Sequence, residues 1–372
     1  MSNTHADDAA QAVPKSIRIA TYNVSLYGKV KGSLADRLKS GTDKQAKSIA
    51  AIIQSVRPDI LLLNEIDHDP DAKTVKLLRD SYLAIGQANL AGIDYPFVYS
   101  AASNTGIASG LDLNKTVRID EPGDAWGFGA YPGQYAFAVL SRYPIDVDAI
   151  RTFQMFAWSQ LPGALKPILP DTQATYYQDE VWKSLRLSSK NHVDIPINVN
   201  GKKLHVLACH PTPPVFDGPE DRNGCRNHDE IAFWGHYIEN ATTLIDDAGK
   251  SGGLSPIDSF VIMGDLNSDP VDGGSRSNAI RALLQHKRIT DPRPQRISCS
   301  DSTPENERND TADFGSVGEL RVDYVLPSSD LTVTDAKVFW PEKGQPGSDW
   351  IHASDHRMVW IDATLSAARS IP

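Results

Sequence analysis

Residues 16–24 (SIRIATYNV) alternate apolar and polar side chains, the two-residue period of a strand with one covered face, and the run ends at Asn23. Ala46, Ile49, Ile53 and Val56 then recur at helical spacing over 43–57. Arg57-Pro58 closes that helix, because the residue before a proline resists helical geometry. Residues 59–64 (DILLLN) are a short apolar run that fits a buried strand with Glu65 at its end, and 74–83 predicts a second helix. Gly-, Asn- and Pro-rich sequence fills 100–134 before the strand-like YAFAVLS at 135–141. A hairpin is plain in His192–Val199 and Lys202–Cys209, since the intervening Asn200-Gly201 suits the positive φ of a tight turn. His210 leaves the end of its second strand. Phe233, Trp234, Tyr237, Ile238, Leu244 and Ile245 predict a helix over 229–248, with Asn227 as its cap and Asp229 and Glu230 as first-turn acids. A buried strand follows at 259–264 (SFVIMG), a helix ends over 281–286, and 298–315 reads as loop. The last strands fall at 320–326, 332–339 and 357–364.

Many strands, several in antiparallel pairs, with a few interleaved helices predict two packed sheets with helices outside. The 372 residues exceed a usual domain. The pattern nevertheless favours one domain over 17–372 after a polar tail at 1–16, with long loop insertions around 100–134 and 151–190. No apolar run approaches the roughly 20 residues needed to cross a bilayer, so no transmembrane segment is expected. The formal charge of −10 counts against tight polynucleotide binding, which needs a basic footprint. It does not exclude nuclease chemistry, because a divalent metal brings positive charge to the phosphate. The first residues lack the hydrophobic stretch of a signal peptide, although Ala10-Gln11-Ala12 has the small-x-small form that precedes a cleavage site. The expected location is extracellular or periplasmic where a leader has been removed, and cytoplasmic otherwise. The three cysteines have no metal-site spacing. Cys209 lies in an apolar run and reads as core; Cys225 and Cys299 fall in polar stretches, where a disulfide and two free thiols both fit.

One arrangement recurs: an apolar strand runs out and polar residues follow at once. It happens at Tyr22-Asn23, Asn64-Glu65, Cys209-His210, Asp265-Leu266-Asn267, Val322-Asp323 and Ser354-Asp355-His356. Packed sheets deliver their strand ends to a shared rim, where rigid elements hold side chains accurately. Glu65 and Asp355 are hard oxygen ligands, with Asn23 as a neutral third, and such a set suits Mg²⁺. His210 and His356 can move protons near neutral pH, and Asp323 can fix one imidazole in its tautomer. Asp265 and Asn267, two apart on an extended segment, would point the same way and orient an attacking water or the phosphate. Each piece alone is weak: Gly-Asp-x-Asn is most often a turn, Ser-Asp-His a loop or cap, and a lone His210 a structural histidine. The full set in one order, each at a strand end, carries the weight.

In that order Thr21-Tyr22-Asn23-Val24, Asn64-Glu65-Ile66, His210, Gly264-Asp265-Leu266-Asn267, Arg321-Val322-Asp323-Tyr324 and Ser354-Asp355-His356 resemble the endonuclease/exonuclease/phosphatase superfamily. The resemblance spans about residues 17 to 364. It implies an α/β (α+β) fold, a four-layered sandwich of two packed mixed sheets flanked by helices. It also implies Glu65 as the main magnesium ligand with Asn23 and Asp355 nearby, His356 as catalytic histidine with Asp323 as its carboxylate, Asp265 and Asn267 positioning nucleophile and phosphate, and His210 as second histidine. No carboxylate partner for His210 is identifiable. Residues 123–129 (GDAWGFG), 132–135 (PGQY) and 210–214 (HPTPP) are similar to a bacterial, often exported branch of uncertain substrate.

Asp112-Leu113-Asn114 with Asp120 is similar to the start of a calcium loop, but Val117 stands where that loop needs glycine and no glutamate closes it. Asn227-His228 and Gly264-Asp265 appear in the reverse of the order used by calcineurin-like phosphatases. Of the loop aromatics Trp126, Phe128, Tyr131, Phe156, Trp158, Tyr176 and Tyr177, half or more are expected in loop core and the rest in a substrate wall. The expected activity is divalent-metal-dependent phosphoester hydrolysis on a small or lipid-linked organophosphate. Mg²⁺ is the expected ion, Mn²⁺ or Ca²⁺ its substitutes, and no obligate protein partner is expected. The rivals are a non-specific endonuclease and a non-catalytic binding protein on the same fold. A deep pocket walled by 100–134 and 153–177 would mean small substrates; an open positive groove would mean polynucleotide.

Overall fold

Alternation along the strands sets the architecture in the computed structural model, which describes residues 16–299 and 303–365. The strands, in chain order, are β1 (Ile17–Leu26), β2 (Ile60–Ile66), β3 (Phe97–Ser100), β4 (Phe137–Ser141), β5 (Arg151–Thr152), β6 (His192–Val199) and β7 (Lys202–Cys209). They continue with β8 (Ser259–Asp265), β9 (Gln295–Arg296), β10 (Ala312–Asp313), β11 (Glu319–Leu320), β12 (Asp323–Pro327), β13 (Leu331–Val338) and β14 (Val359–Leu365). A seven-stranded sheet has the order β3-β4-β2-β1-β14-β13-β9, a five-stranded sheet the order β12-β8-β7-β6-β5, and β10 pairs with β11 alone. Both large sheets are mixed: β1 runs parallel to β2 but antiparallel to β14, and β7 runs parallel to β8 but antiparallel to β6.

Ile17 and Ile19 of β1, Ile60 and Leu62 of β2, Val206 and Ala208 of β7, Val261 and Met263 of β8, and Val325 of β12 form one buried cluster between the sheets. The alternate residues face outward. Tyr22, Val24, Leu61 and Leu63 pack with Ile49, Ile52 and Ile53 of the helix Lys44–Val56, and Leu207, Phe260, Ile262 and Tyr324 pack with Phe233, Trp234 and Tyr237 of the helix Arg222–Ile238. The result is helix, sheet, sheet, helix. The helices are α1 (Ser33–Leu38), α2 (Lys44–Val56), α3 (Lys73–Leu78), α4 (Asp179–Ser184), α5 (Arg222–Ile238) and α6 (Asn278–Leu284). Asp43 caps α2 by accepting from the Ala46 N–H at 2.9 Å, where an unpaired helical donor would otherwise stand.

Several boundaries differ from expectation. The helix read over 229–248 lies at Arg222–Ile238, so Asn227 sits inside it and not at its cap, and Asp229 and Glu230 are not in its first turn. Their polar side chains are instead buried and serve as anchors: Asp229 accepts from Trp158 Nε1 at 2.6 Å and Leu165 N–H at 2.7 Å. Cys225 lies on that helix rather than in a loop, and all three cysteines are free thiols. The strand read over 320–326 breaks into β11 and β12, and 74–83 is an α turn continued as a π-helix at Arg79–Leu83. The expectations for residues 1–15 and 366–372 fall outside the described residues. Among the described residues no helix is long and apolar enough to cross a membrane.

Candidate active site

The inward alternation continues past the apolar core and changes character at one rim. Asn23 follows Ile17 and Ile19 by the two-residue period, Asn64 follows Ile60 and Leu62, His210 follows Val206 and Ala208, and Asp265 follows Val261 and Met263. Asp323 opens β12 opposite Asp265 in the antiparallel register. Parallel pairing of β1 with β2 and of β7 with β8 brings these ends to the same side.

Asp265 is the centre of the cluster. Its Oδ2 accepts from Asn23 Nδ2 at 3.0 Å and lies 3.4 Å from His210 Nε2 and 3.6 Å from His356 Nε2. Its Oδ1 accepts the Asn267 backbone N–H at 2.8 Å. Burial opposes its charge, yet His356, His210 and Asn23 together hold this carboxyl below the usual carboxylate range. Asn23 Nδ2 also reaches Glu65 Oε1 at 3.2 Å, while Asn23 Oδ1 accepts from the Ser25 N–H at 3.1 Å. The Asn23 oxygen that the sequence reading gave to a cation is therefore hydrogen-bonded to the backbone. Desolvation raises the Glu65 carboxyl above its ordinary value, against the pull of His356 and Asn23.

His356 Nδ1 lies 2.8 Å from Asp323 Oδ2, which also accepts from Thr311 Oγ1 at 2.8 Å. Burial disfavours charge on that ring, but Asp323 and Asp265 outweigh it and raise the imidazole well above its ordinary range. His210 behaves oppositely: burial, reinforced by the nearby Lys190 charge, pushes it down to about 4. Its Nδ1 is buried without a hydrogen-bond partner among the described residues, so the ring's one carboxylate contact at hydrogen-bonding range among them is Asp265 at Nε2. Ser354 donates to the Asn23 carbonyl at 2.8 Å and accepts the His356 N–H at 3.1 Å, which ties the segment before β14 to the end of β1. Asp355, between them, is exposed and lines the same cavity as Glu65 and His210.

The structure brings Asn23, Glu65, His210, Asp265, Asp323 and His356 together, with Asp355 on the same cavity. Asn267 has φ of 51°, so Asp265 and Asn267 are joined by a turn rather than an extended segment. Asn267 Nδ2 donates to the Pro211 carbonyl at 3.2 Å. His228 turns to its neighbour Asp229 at 2.9 Å. Two donor sets suit a divalent cation. Asp265, Asp323 and His356 lie within mutual reach, but their facing atoms already hydrogen-bond or pair with one another. Glu65 and Asp355 offer hard carboxylate oxygens to the open cavity, and that chemistry fits magnesium better.

Thr311 and Lys190 were missed in the sequence, and Ser354 was read there only as part of the Ser354-Asp355-His356 motif, with no role of its own. Thr311 carried no signal there. Lys190 did: the hairpin register pairs His192 with Cys209, which sets Lys190 opposite Pro211, beside His210.

The cavity has a volume of about 1000 Å³. Leu113, Arg118 and Phe128 from the first insertion and Trp158 and Tyr177 from the second form much of its wall. Phe156, Trp158, Tyr131, Tyr176 and Tyr177 are largely buried, as expected of loop core, while Phe128 is 64% exposed. In the calcium-like loop, Asp112 caps the backbone N–H groups of Thr116 and Val117, a plain loop hydrogen-bond pattern.

No curated protein matches the sequence. Among solved structures, an endonuclease/exonuclease/phosphatase from Beutenbergia cavernae is similar at TM-score 0.53 and 17% identity, over 95% of this chain and 72% of that one. An endonuclease/exonuclease/phosphatase family protein from Leptotrichia buccalis is similar at TM-score 0.50 and 16% identity, over 93% of this chain and 98% of that one. At such identities they establish the shared fold alone. The sequence profile of the Endonuclease/Exonuclease/phosphatase family matches residues 20–356. Spanned by that profile from β1 to His356, the chain belongs to the endonuclease/exonuclease/phosphatase family, whose members are divalent-metal-dependent phosphoesterases and nucleases.

Proposed function

We propose that this protein hydrolyses phosphoesters of small or lipid-linked organophosphates with the help of a divalent cation. The observation that carries the reading is the convergence on Asp265 Oδ2 of Asn23, His210 and His356, with Asp323 behind His356. Such a cluster is costly to bury unless it has chemistry to perform.

Glu65 and Asp355 would hold the cation, Mg²⁺ by preference, which when bound neutralises charge on a phosphoryl oxygen. Asp265 accepts a hydrogen bond from the attacking water and orients it, its own position fixed by Asn23 and the Asn267 N–H. Asp323 at Nδ1 and Asp265 at Nε2 favour the imidazolium form of His356, so Nε2 also carries a proton, faces the phosphoryl group as a donor and meets the charge that develops there. His210 presents a neutral imidazole to the same carboxylate.

The cavity favours small substrates over polynucleotide, because the two insertions close around it and the chain carries net charge −10. The motifs at 123–129, 132–135 and 210–214 support an exported protein, which fractionation of the native host tests. For the activity, bis-p-nitrophenyl phosphate, p-nitrophenyl phosphate, a lysophospholipid and supercoiled plasmid are each incubated with Mg²⁺, Mn²⁺ or Ca²⁺. Metal-stimulated turnover of a small or lipid-linked substrate, abolished by chelation, is expected. Rapid plasmid nicking at low enzyme concentration would favour the nuclease reading. No turnover with any metal would favour the binding-protein reading and end this one.

A further inference from the structure

We propose that Lys190 is a phosphate-binding residue of this site, its ammonium taking up a non-bridging oxygen of the substrate's phosphoryl group. The inference rests on the phosphoester reading of the same site.

Five cations line the cavity, and four are engaged. Arg118 pairs with Asp120 at 3.2 Å and Glu121 at 3.4 Å, and Arg222 pairs with Glu220. Arg186 donates to Asn104 Oδ1 at 2.6 Å, and Arg226 donates to the carbonyls of Leu187, Trp126 and Arg186. Lys190 differs. It is 6% exposed, and its Nζ makes one hydrogen bond, 3.3 Å to the Pro211 carbonyl. No carboxylate among the described residues lies within ion-pair distance of it. Its nearest acidic neighbour on α5, Glu230, spends both oxygens elsewhere: Oε1 on Ser189 N–H and Oγ, Oε2 on the Thr212 N–H.

An ammonium kept in a largely buried position with unspent donors is unfavourable unless an anion meets it. The same Pro211 oxygen accepts from Asn267 Nδ2, so the ammonium and that amide are gathered at one corner beside His210. Glu65 and His210 line the same cavity as Lys190. The segment is also rigid. Glu230 staples Ser189 to Thr212, and Gly127 packs so closely that a Cβ there would lie 1.8 Å from the Ser189 carbonyl. A fixed cation beside a metal-binding carboxylate suits a phosphoryl group, whose several oxygens can meet both at once.

The test compares wild type with K190M and K190R. Binding of inorganic phosphate is measured by calorimetry in chelator, Mn²⁺ binding separately, hydrolysis of bis-p-nitrophenyl phosphate with Mn²⁺, and the melting temperature throughout. K190M is expected to lose at least about tenfold in phosphate affinity and roughly 10²–10³ in kcat/KM, with K190R keeping more of both. Its Mn²⁺ affinity should stay the same or tighten, since a positive charge near Glu65 is gone, and its melting temperature should hold or rise. Unchanged phosphate binding in K190M overturns the proposal, as does failure of wild type to bind millimolar phosphate. So does a joint loss of phosphate, Mn²⁺ and thermal stability in both variants, which would mark Lys190 as a prop for the Pro211 turn. Should K190M not fold, the ¹³Cε lysine resonance of wild type that K190R deletes must move on adding phosphate; a static resonance counts against it. Phosphate binding lost in K190M while no phosphoester is hydrolysed keeps the anion site and removes the hydrolase reading. Equal hydrolysis by wild type and K190M does the reverse.

Discussion

Glu65 reaches the site by breaking the rule its own strand obeys. By the two-residue period it belongs with Leu61 and Leu63, which face α2 and not the space between the sheets. Its φ of 57° and the 46° of Ser25 on the neighbouring strand put both residues in the left-handed region, and the β1–β2 register shifts between Asn23 and Leu26. This bulge swings the carboxylate to 3.2 Å from Asn23 Nδ2. Left-handed backbone costs about 1–2 kcal/mol per non-glycine residue, a cost tolerated where it aims a functional group. Glu65→Gln is therefore expected to raise the Mg²⁺ concentration needed for half-maximal rate, with saturating metal restoring part of the activity. His356→Ala should instead lower kcat by roughly 10²–10⁴ at any metal concentration. Steady-state rates over a metal titration separate the two, and indistinguishable small losses from both would place the chemistry elsewhere. The residue types and their order were legible because strand alternation carries Asn23, His210 and Asp265 inward without help from tertiary detail. The turn of Asn267 and the Thr311 contact to Asp323 were not, since both depend on residues distant in sequence or on backbone angles that composition does not encode.

At the scale of elements, the site needs β7 and β8 to lie closer at one point than side chains permit. Gly264 stands there with φ of 148°, and a Cβ on it would sit 2.1 Å from the Cys209 carbonyl. Asp265 follows immediately, so displacement of this residue is felt at the centre of the cluster. Gly264→Ala should cost roughly 3 kcal/mol and depress activity, whereas Gly201→Ala, at the open hairpin turn, should cost about 1 kcal/mol and spare it. Urea unfolding with parallel rate measurements checks this, and equal effects at the two glycines would refute the close-approach argument. The hairpin of β6 and β7 was readable to the residue because Asn200-Gly201 fixes its register locally. Helix α5 was not. Its first two turns are polar, and Asn227, Asp229 and Glu230 are buried to anchor loops instead of being solvated. Hydrophobic periodicity cannot see a helix face whose burial is bought with hydrogen bonds, so the reading began the helix too late.

At the scale of the molecule, the two insertions decide what can approach the candidate site. They contribute Arg118, Phe128, Trp158 and Tyr177 to the wall of the cavity, and the turn after β7 adds Val215 and Phe216. Phe216 is 86% exposed and Phe128 64%. Exposed apolar side chains at the mouth of a polar cavity suit a substrate with an apolar portion better than a duplex backbone. Arg118 and Arg222 are paired with acids and Arg186 and Arg226 spend their donors on amide and backbone oxygens, so the wall offers no continuous track for successive phosphates. A protein that neutralises six to ten phosphates loses roughly 10³–10⁵ in DNA affinity between about 50 and 200 mM salt. On the small-substrate reading the slope should be shallow, because a single phosphoryl group would be held and the chain carries net charge −10. Binding of a fluorescent duplex should be weak at low salt and change little on raising it, while kcat/KM for a small phosphodiester stays nearly constant over the same range. Tight, steeply salt-dependent duplex binding would mean that the insertions move apart to expose a longer basic surface, and the small-substrate reading would then give way to the nuclease one.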